Sequence, residues 1–363
     1  MCKKLLCLFC LVLIPSLVGS GKCAGEIILE ELFDDGNFSS RGWYDNTNLQ
    51  LSTTEHIPGS ISSVQYHFRR GQRKPISGGA IRRQFPGTES VYLSFYIKHS
   101  ANWTGSNRSY HPHEFHFMTN NESKWAGPAY THLTLYIETN EGVPKLGIQD
   151  GKNIDEDNIG VDLTNVTEER AVAGCNGNSD STGRDNCYGA GSHYANGKQW
   201  RASAVYFQDS PGPKYKNDWH FVEAYFQLNS IVDGKAIADG QVKYWFDGEL
   251  IINYENVLLR TGQHPDMKFN QFLIAPYIGP GSPIAQTFWV DNLKVAAARP
   301  LVGDFYSDGR IDFKDFAQFA GVWLSKVGQA KWTLEYEISQ PPDGIIGVFD
   351  LGQFVENWLS TDE

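Results

Sequence analysis

Short strand-like runs dominate the chain from Ile27 to Val295. In these runs aromatic and β-branched residues alternate with polar ones, and Gly, Pro, Asn or Asp ends each run after a few residues. Two examples are VYLSFYI from Val91 to Ile97 and FVEAYFQL from Phe221 to Leu228. No part of the stretch keeps a helical hydrophobic period beyond about two turns. The pattern therefore predicts an all-β sandwich or jelly roll over residues 26–297.

An internal repeat marks the C-terminal tail. The segments DFAQFAGVWLS, from Asp315 to Ser325, and DLGQFVENWLS, from Asp350 to Ser360, are identical at six of eleven positions. Their apolar residues have helical spacing. Because similarity at a fixed offset is typical of a duplicated unit, residues 301–363 are predicted to form a separate small all-α module.

An acidic loop precedes each repeat helix. A calcium loop needs oxygen donors at positions 1, 3, 5, 9 and 12, a carbonyl at position 7 and a glycine at position 6. The first loop offers Asp304, Asp308, Gly309, the carbonyl of Arg310, Asp312 and Asp315, with Tyr306 at the third position. The second offers Glu337, Ser339, Asp343, Gly344, Gly347 through water, and Asp350, with Pro341-Pro342 as an insertion. The loops predict bound Ca²⁺, and an acid-capped helical hairpin without metal is the alternative.

The paired loop-and-helix pattern, with Asp315 and Asp350 at the twelfth loop positions, resembles the type I dockerin module. That resemblance implies calcium-dependent folding and docking to a cohesin-like or cell-surface protein. Dockerins usually carry small hydroxylic residues at loop positions 10 and 11. This chain instead has Phe313-Lys314 and Val348-Phe349 there, which sets its partner apart from an ordinary cohesin.

The first 22 residues have the pattern of a signal peptide, because Lys3 and Lys4 precede an apolar run that ends in small residues. The run is too short to span a bilayer, and no later stretch is as apolar, so we expect a secreted protein without a membrane span. Cys175 and Cys187 flank a polar, glycine-rich loop. Since exported proteins meet an oxidising compartment, we predict a disulfide between them, with two free thiols as the alternative.

The net charge of −11 argues against nucleic acid or an anionic membrane as the main partner, because no basic run could collect phosphates. A uronic-acid polymer would require a locally basic groove. Arg69-Arg70, Arg73-Lys74 and Arg82-Arg83 could supply one, or they could be the solvated edge of a sheet.

Several segments of the β domain, in their order and spacing, resemble the concanavalin A-like jelly rolls of polysaccharide lyases and related carbohydrate-binding proteins. They are ELFDDG followed by Trp43, WHFVEAYFQLN, KYWFDGELI and TFWVDNLKV. The resemblance implies a polysaccharide partner. It also implies a structural calcium on the convex face, held by Asp34 or Asp35 with Asp291, although these acids could equally cap turns.

The strongest chemical cluster is YHPHEFH, from Tyr110 to His116. Regular strand alternation would place Glu114 and His116 on one face, with His113 and Phe115 on the other. Glycoside hydrolysis is disfavoured because Glu114 has no second acid at the required spacing along the strand. A histidine beside a carboxylate could instead act as a proton-abstracting base.

β-Elimination of a uronate needs a base, an acid and a group that neutralises the carboxylate. The candidates are His116 with Glu114 as base, Tyr277 (or Tyr136 or Tyr206) as acid, Arg82 or Arg83 as cation, and Gln149 or Gln227 as carboxylate ligands. These residue types favour a lyase without establishing one.

Two alternatives stay open at this level. A non-catalytic carbohydrate-binding protein would place aromatic faces such as that of Trp125 against sugar rings; Trp103, Trp200 and Tyr188 are similar candidates. A metal site formed by His111, His113 and His116 would require a bend at Pro112.

Overall fold

The computed structural model describes residues 27–119, 133–148, 199–257, 259–260 and 265–361. The strands are β1 (Ile27–Glu31), β2 (Trp43–Asp45), β3 (Gln50–Ser52), β4 (Ser63–Phe68), β5 (Ile81–Thr88), β6 (Ser90–His99), β7 (His113–Thr119), β8 (Thr134–Asn140), β9 (Val143–Ile148), β10 (Gln199–Arg201), β11 (His220–Gln227), β12 (Ile231–Val232), β13 (Lys235–Ala236), β14 (Gly240–Phe246), β15 (Glu249–Val257), β16 (Phe269–Tyr277) and β17 (Gln286–Ala296). The helices are α1 (Phe313–Val322) and α2 (Val348–Glu356).

Two antiparallel sheets form the β domain. The first has the order β15-β14-β11-β6-β17-β4-β3, with β1 also paired to β17. The second has the order β10-β9-β8-β7-β16-β5-β2, and β12 and β13 form a separate two-stranded ribbon. This arrangement confirms the predicted sandwich. Sequence-distant strands are neighbours in both sheets, as jelly-roll connections require.

Aromatic side chains fill the space between the sheets. The rings of Phe95, from β6, and Phe115, from β7, lie 4.3 Å apart between centroids, and Phe117 packs on Phe272 at 5.1 Å. All four side chains are buried. Burying such a side chain contributes roughly 1.5–3 kcal/mol, so this layer fixes the inner face of each strand.

A tight hairpin joins β8 to β9. Glu141 and Gly142 both have positive φ, at 52° and 73°, which is the backbone of the two-residue turn that matches strand twist. The turn sets the register of the hairpin, so that Glu138 lies directly opposite Lys145.

The tail contains two copies of one hydrogen-bond pattern. Asp304 accepts the backbone N–H groups of Asp308 and Gly309, and Asp315 accepts those of Tyr306 and Asp312. In the second copy Glu337 and Asp350 accept the corresponding groups, from Asp343, Gly344, Ser339 and Gly347. A small apolar core that includes Phe305, Phe319 and Phe354 joins the copies. The repeat seen in the sequence is therefore also a repeat of structure.

The tail and the linker residue Arg299 before it contact the outer face of the first sheet. The guanidinium of Arg299 donates two hydrogen bonds to the buried carboxylate of Glu223 on β11. The side chain of Gln340 lies close to the hydroxyl of Tyr96 on β6. The outer face of the second sheet lies on the opposite side of the sandwich. In the described part of the chain, no helix is both long and apolar enough to cross a membrane.

Candidate functional site

Polar side chains line the outer face of the second sheet across five neighbouring strands and β2. We call this set the polar face; it comprises Tyr44, Arg82, His113, His116, Tyr136, Glu138, Lys145, Gln271 and Tyr277. All of them except Tyr44, His113 and Tyr277 are buried. A continuous set of buried polar groups is unusual on the outside of a sheet and marks the site of interest.

An irregularity in β7 assembles the histidines of this face. The register between β7 and β16 shifts between the pairs Phe115–Ile274 and His113–Tyr277. Between these pairs β7 has one residue, Glu114, and β16 has two, Ala275 and Pro276, so the extra residue of this bulge belongs to β16. At this bulge β7 loses its regular alternation: Glu114 and Phe115 both point into the sandwich, whereas His113 and His116 lie on the outer face with ring centroids 6.2 Å apart. The expected alternation, with His113 opposite His116, was wrong for this reason.

Glu114 therefore lies outside the polar face. Its carboxylate faces the first sheet, with Oε1 3.9 Å from Nε2 of His99 on β6, and it accepts the N–H of Thr139. Burial raises the pKa of Glu114 well above its usual value and lowers the pKa of His99 to about 3. Because Glu114 points toward the first sheet and His116 points outward, Glu114 cannot serve as the carboxylate beside His116 that the sequence suggested.

The histidines and tyrosines form one stacked cluster. His113 stacks on Tyr136 at 4.3 Å between centroids and lies parallel to Tyr277 at 6.4 Å. His116 meets the edge of Tyr136 at 4.5 Å. His111 contacts the ring of His113 at 4.2 Å and that of Tyr277 at 5.6 Å. The cluster brings potential bases and hydroxyl acids within contact of each other.

A buried carboxylate organises one end of the cluster. Oε2 of Glu138 lies 2.7 Å from Nδ1 of His113, and Oε1 pairs with the ammonium of Lys145. Burial alone would raise the pKa of Glu138, but Lys145 and His113 lower that pKa to about 2. Glu138 is thus a charged acceptor throughout the neutral range.

Arg82 and Gln271 form the other end. Nε of Arg82 lies 2.5 Å from Asp45, and its Nη1 donates to Oε1 of Gln271 at 3.4 Å. Gln271 in turn donates to the hydroxyl of Tyr44 at 2.8 Å. A guanidinium beside an amide is a suitable pair of donors for a carboxylate ligand.

His116 lies between these two ends. It pairs with Leu273 and Tyr136 in the ladders and has no exposed surface. Desolvation lowers the pKa of His116 well below its usual value. The imidazole is therefore neutral at neutral pH, as a base must be before it takes a proton.

The remaining sequence candidates fall elsewhere. Gln227 lies on β11 of the first sheet and accepts the hydroxyl of Tyr225, so its proposed role beside His116 is corrected. Trp103 and Trp200 are buried and do not offer a sugar platform. Arg83 donates to the carbonyl of Gly42 rather than joining Arg82. Five further candidates lie outside the described residues: Trp125, Gln149, Cys175, Cys187 and Tyr188.

Sequence reasoning missed Glu138, Lys145, Gln271 and the placement of His113. A signal existed for the first two, because the Glu141-Gly142 hairpin sets Glu138 opposite Lys145. Gln271 had no local signal, since its role depends on β16 lying between β5 and β7.

The acids assigned to a convex-face calcium hold backbone groups. Asp291 accepts the N–H groups of Ile57 and Asn292 and the hydroxyl of Ser60. Asp34 accepts the N–H of Ile61, whereas Asp35 pairs with Arg41. Burial raises the pKa of Asp291 to about 7 despite its three hydrogen bonds.

The tail loops fit a calcium ion less well than the sequence suggested. In the first loop, the ammonium of Lys314 lies 2.5 Å from Asp308, and Tyr306 supplies no carboxylate or amide oxygen at the third position. Asp312 is occupied as the N-cap of α1. Across the described residues, no group of three or more His, Cys, Asp or Glu side chains is placed to hold a metal ion.

No protein-family model and no curated protein matches the sequence. Among solved structures, the chain is similar to the alginate lyase vAL-1 from Chlorella virus, with 12% identity, a TM-score of 0.47, and coverage of 75% of this chain and 99% of that one. It is also similar to a marine PL-14 alginate lyase from Aplysia kurodai, with 10% identity, a TM-score of 0.44, and coverage of 74% and 98%. Alginate lyase Aly36B gives 11% identity, a TM-score of 0.41, and coverage of 75% and 95%.

Proposed function

We propose that the chain is an exported polysaccharide lyase that cleaves a uronic-acid-containing glycan by β-elimination on the polar face. One observation carries the proposal: a single sheet face joins Arg82 and Gln271 to the histidine and tyrosine cluster. The signal-peptide pattern supports export.

The chemistry assigns a role to each end of the face. Arg82 and Gln271 bind the uronate carboxylate, which makes the proton on C5 more acidic by neutralising charge as it develops. A histidine, His113 or His116, takes that proton. The electron pair forms the C4–C5 double bond as the bond to O4 breaks, and a tyrosine hydroxyl, Tyr277 or Tyr136, protonates the leaving O4.

Neighbouring arginines provide a matched test. Arg82 lies on the polar face, whereas Arg83, the next residue of β5, donates to the carbonyl of Gly42. The protein and its Arg82→Met and Arg83→Met variants are incubated with alginate and other uronate polymers, and the ultraviolet absorbance of the unsaturated product is followed. We expect Arg82→Met to lower the rate by about 10²-fold or more, and Arg83→Met to lower it by less than about threefold.

Two outcomes contradict the proposal. Equal loss in both variants would mean that the position of Arg82 on this face is irrelevant. If the protein makes no unsaturated product but is retarded in gels containing a uronate polymer, the chain is a carbohydrate-binding protein without catalysis.

For the tail we propose partner docking, with Ca²⁺ as the loop ligand that the sequence predicts. Three apolar side chains at the starts of the helices support docking, because Phe313, Val348 and Phe349 are exposed by 77%, 68% and 69%. A cohesin-like or cell-surface protein is the proposed partner. Calorimetry of the EDTA-treated protein tests the metal: no heat on calcium addition would leave a metal-free helical hairpin.

A further inference from the structure

The contact between Glu138 and His113 determines which ring nitrogen of His113 holds a proton. Glu138 is buried, lies on β8, and reaches Nδ1 of His113 on β7 at 2.7 Å. A carboxylate with a pKa of about 2 is charged at neutral pH and can only accept hydrogen bonds. The nitrogen that faces it must therefore carry the proton. Whenever the ring carries a single proton, the other nitrogen, Nε2, holds the lone pair.

The ring of His113 is held in orientation as well as in tautomer. Tyr136 and Tyr277 lie nearly parallel to it, with interplanar angles of 20° and 15°. Its side chain keeps 21% of its surface exposed, whereas His116 has none. Of these two histidines, His113 is the one that a polymer outside the sheet can reach.

Lys145 completes the arrangement. Its ammonium pairs with the second oxygen of Glu138 and offsets the carboxylate charge. Glu138 therefore has two fixed partners, one for each oxygen, and cannot rotate without losing one of them. A buried carboxylate held in this way is suited to orienting a base rather than to binding substrate.

We infer that Glu138 is a positioning residue that fixes the Nδ1-protonated tautomer of His113, and that Nε2 of His113 takes the C5 proton of the uronate. This inference rests on the proposed function and selects between its two histidines. The C5–H bond breaks and its proton moves to Nε2, while the electron pair forms the C4–C5 double bond and O4 leaves with a proton from a tyrosine. Glu138 stabilises the imidazolium that results.

A rescue experiment distinguishes positioning from simple packing. In Glu138→Gln, the retained Lys145 attracts the amide oxygen, so the NH₂ group turns toward Nδ1 and forces the proton to Nε2. We expect kcat to fall by about 10²- to 10⁴-fold, with KM changed by less than about threefold. In Glu138→Gln/Lys145→Met the amide oxygen can face Nδ1 again, and we expect kcat to recover by at least about tenfold. A double variant no faster than Glu138→Gln would overturn the positioning role.

A spectroscopic test does not depend on activity. ¹⁵N-histidine NMR of the whole protein reports which ring nitrogen of His113 carries the proton. We expect Nδ1–H in the native protein and Nε2–H in Glu138→Gln, with Glu114→Gln as the matched control because Glu114 points between the sheets. An Nε2–H tautomer in the native protein would refute the inference.

Product formation by the native protein tests β-elimination, and the rate of Glu138→Gln tests the positioning role of Glu138. If the protein makes no unsaturated product from any uronate polymer, the elimination and the role of His113 as base both fall, whatever the NMR shows. If the protein is active but Glu138→Gln retains its rate, elimination stands and the positioning role is overturned.

Discussion

Burial of Asp291 predicts an unusual dependence of stability on pH. Its side chain has no exposed surface, and desolvation with the nearby charge of Asp34 raises its pKa from 3.8 to about 7. A carboxyl whose folded pKa lies above its unfolded pKa stabilises the fold when protonated. That stabilisation is complete below about pH 4 and is lost as the pH rises through about 7.

The size of the effect follows from the shift. About three pKa units at about 1.4 kcal/mol each give roughly 4 kcal/mol for the full window, of which about 3 kcal/mol falls between about pH 5 and about pH 8. Asp291→Asn removes the titration. The amide oxygen of the variant still accepts hydrogen bonds from Ser60 and Asn292, but its NH₂ group faces the N–H of Ile57. This mismatch lowers the free energy of unfolding by about 1–3 kcal/mol at every pH.

Urea denaturation of both proteins over this pH range measures the difference. Other titrating groups contribute equally to both proteins, so the difference between their free energies of unfolding isolates Asp291. We expect the native protein to lose about 3 kcal/mol more than Asp291→Asn between about pH 5 and about pH 8. Parallel curves would refute the account of Asp291 as a buried, protonated carboxyl.

Three further substitutions test other parts of the structure. In Gly279→Ala the added Cβ would lie 2.5 Å from Nε2 of His111, so the His111 ring must move. We expect a several-fold loss of lyase rate, and an unchanged rate would contradict a role for His111 in the site. Arg299→Met leaves Glu223 buried without its bidentate partner, and urea denaturation should show a loss of roughly 2–4 kcal/mol; unchanged stability would show that this contact does not fasten the tail. Lys314→Ala removes a cation from the first tail loop, so calorimetry should show calcium binding about tenfold tighter; weaker binding would contradict competition by Lys314.

Much of the fold could be predicted because strands leave a local signature. The short aromatic and β-branched runs that contain Phe95 and Trp289 were each predicted as a strand, and the structure has strands at both. The repeated helices of the tail could be found in the same way, from apolar spacing and from the acids at Asp315 and Asp350.

The site could be predicted only in part because it depends on register. Arg82, His116 and Tyr277 were identified by residue type, and the structure places all three on one face. The irregularity in β7 that turns Glu114 inward arises from pairing with β16, which is distant in sequence. Since a shift of one residue moves a side chain to the other face, alternation alone could not assign Glu114.

If sugar binds on the outer face of the second sheet, its binding must perturb the histidines of that face. The most direct measurement is ¹⁵N-histidine NMR of the native protein during titration with a uronate oligosaccharide, at a pH where turnover is slow. Signals of His113 and His116 should move, and signals of His99 and His220, which lie on the first sheet, should stay in place. Movement of His99 or His220 while His113 and His116 remain unchanged would contradict the account.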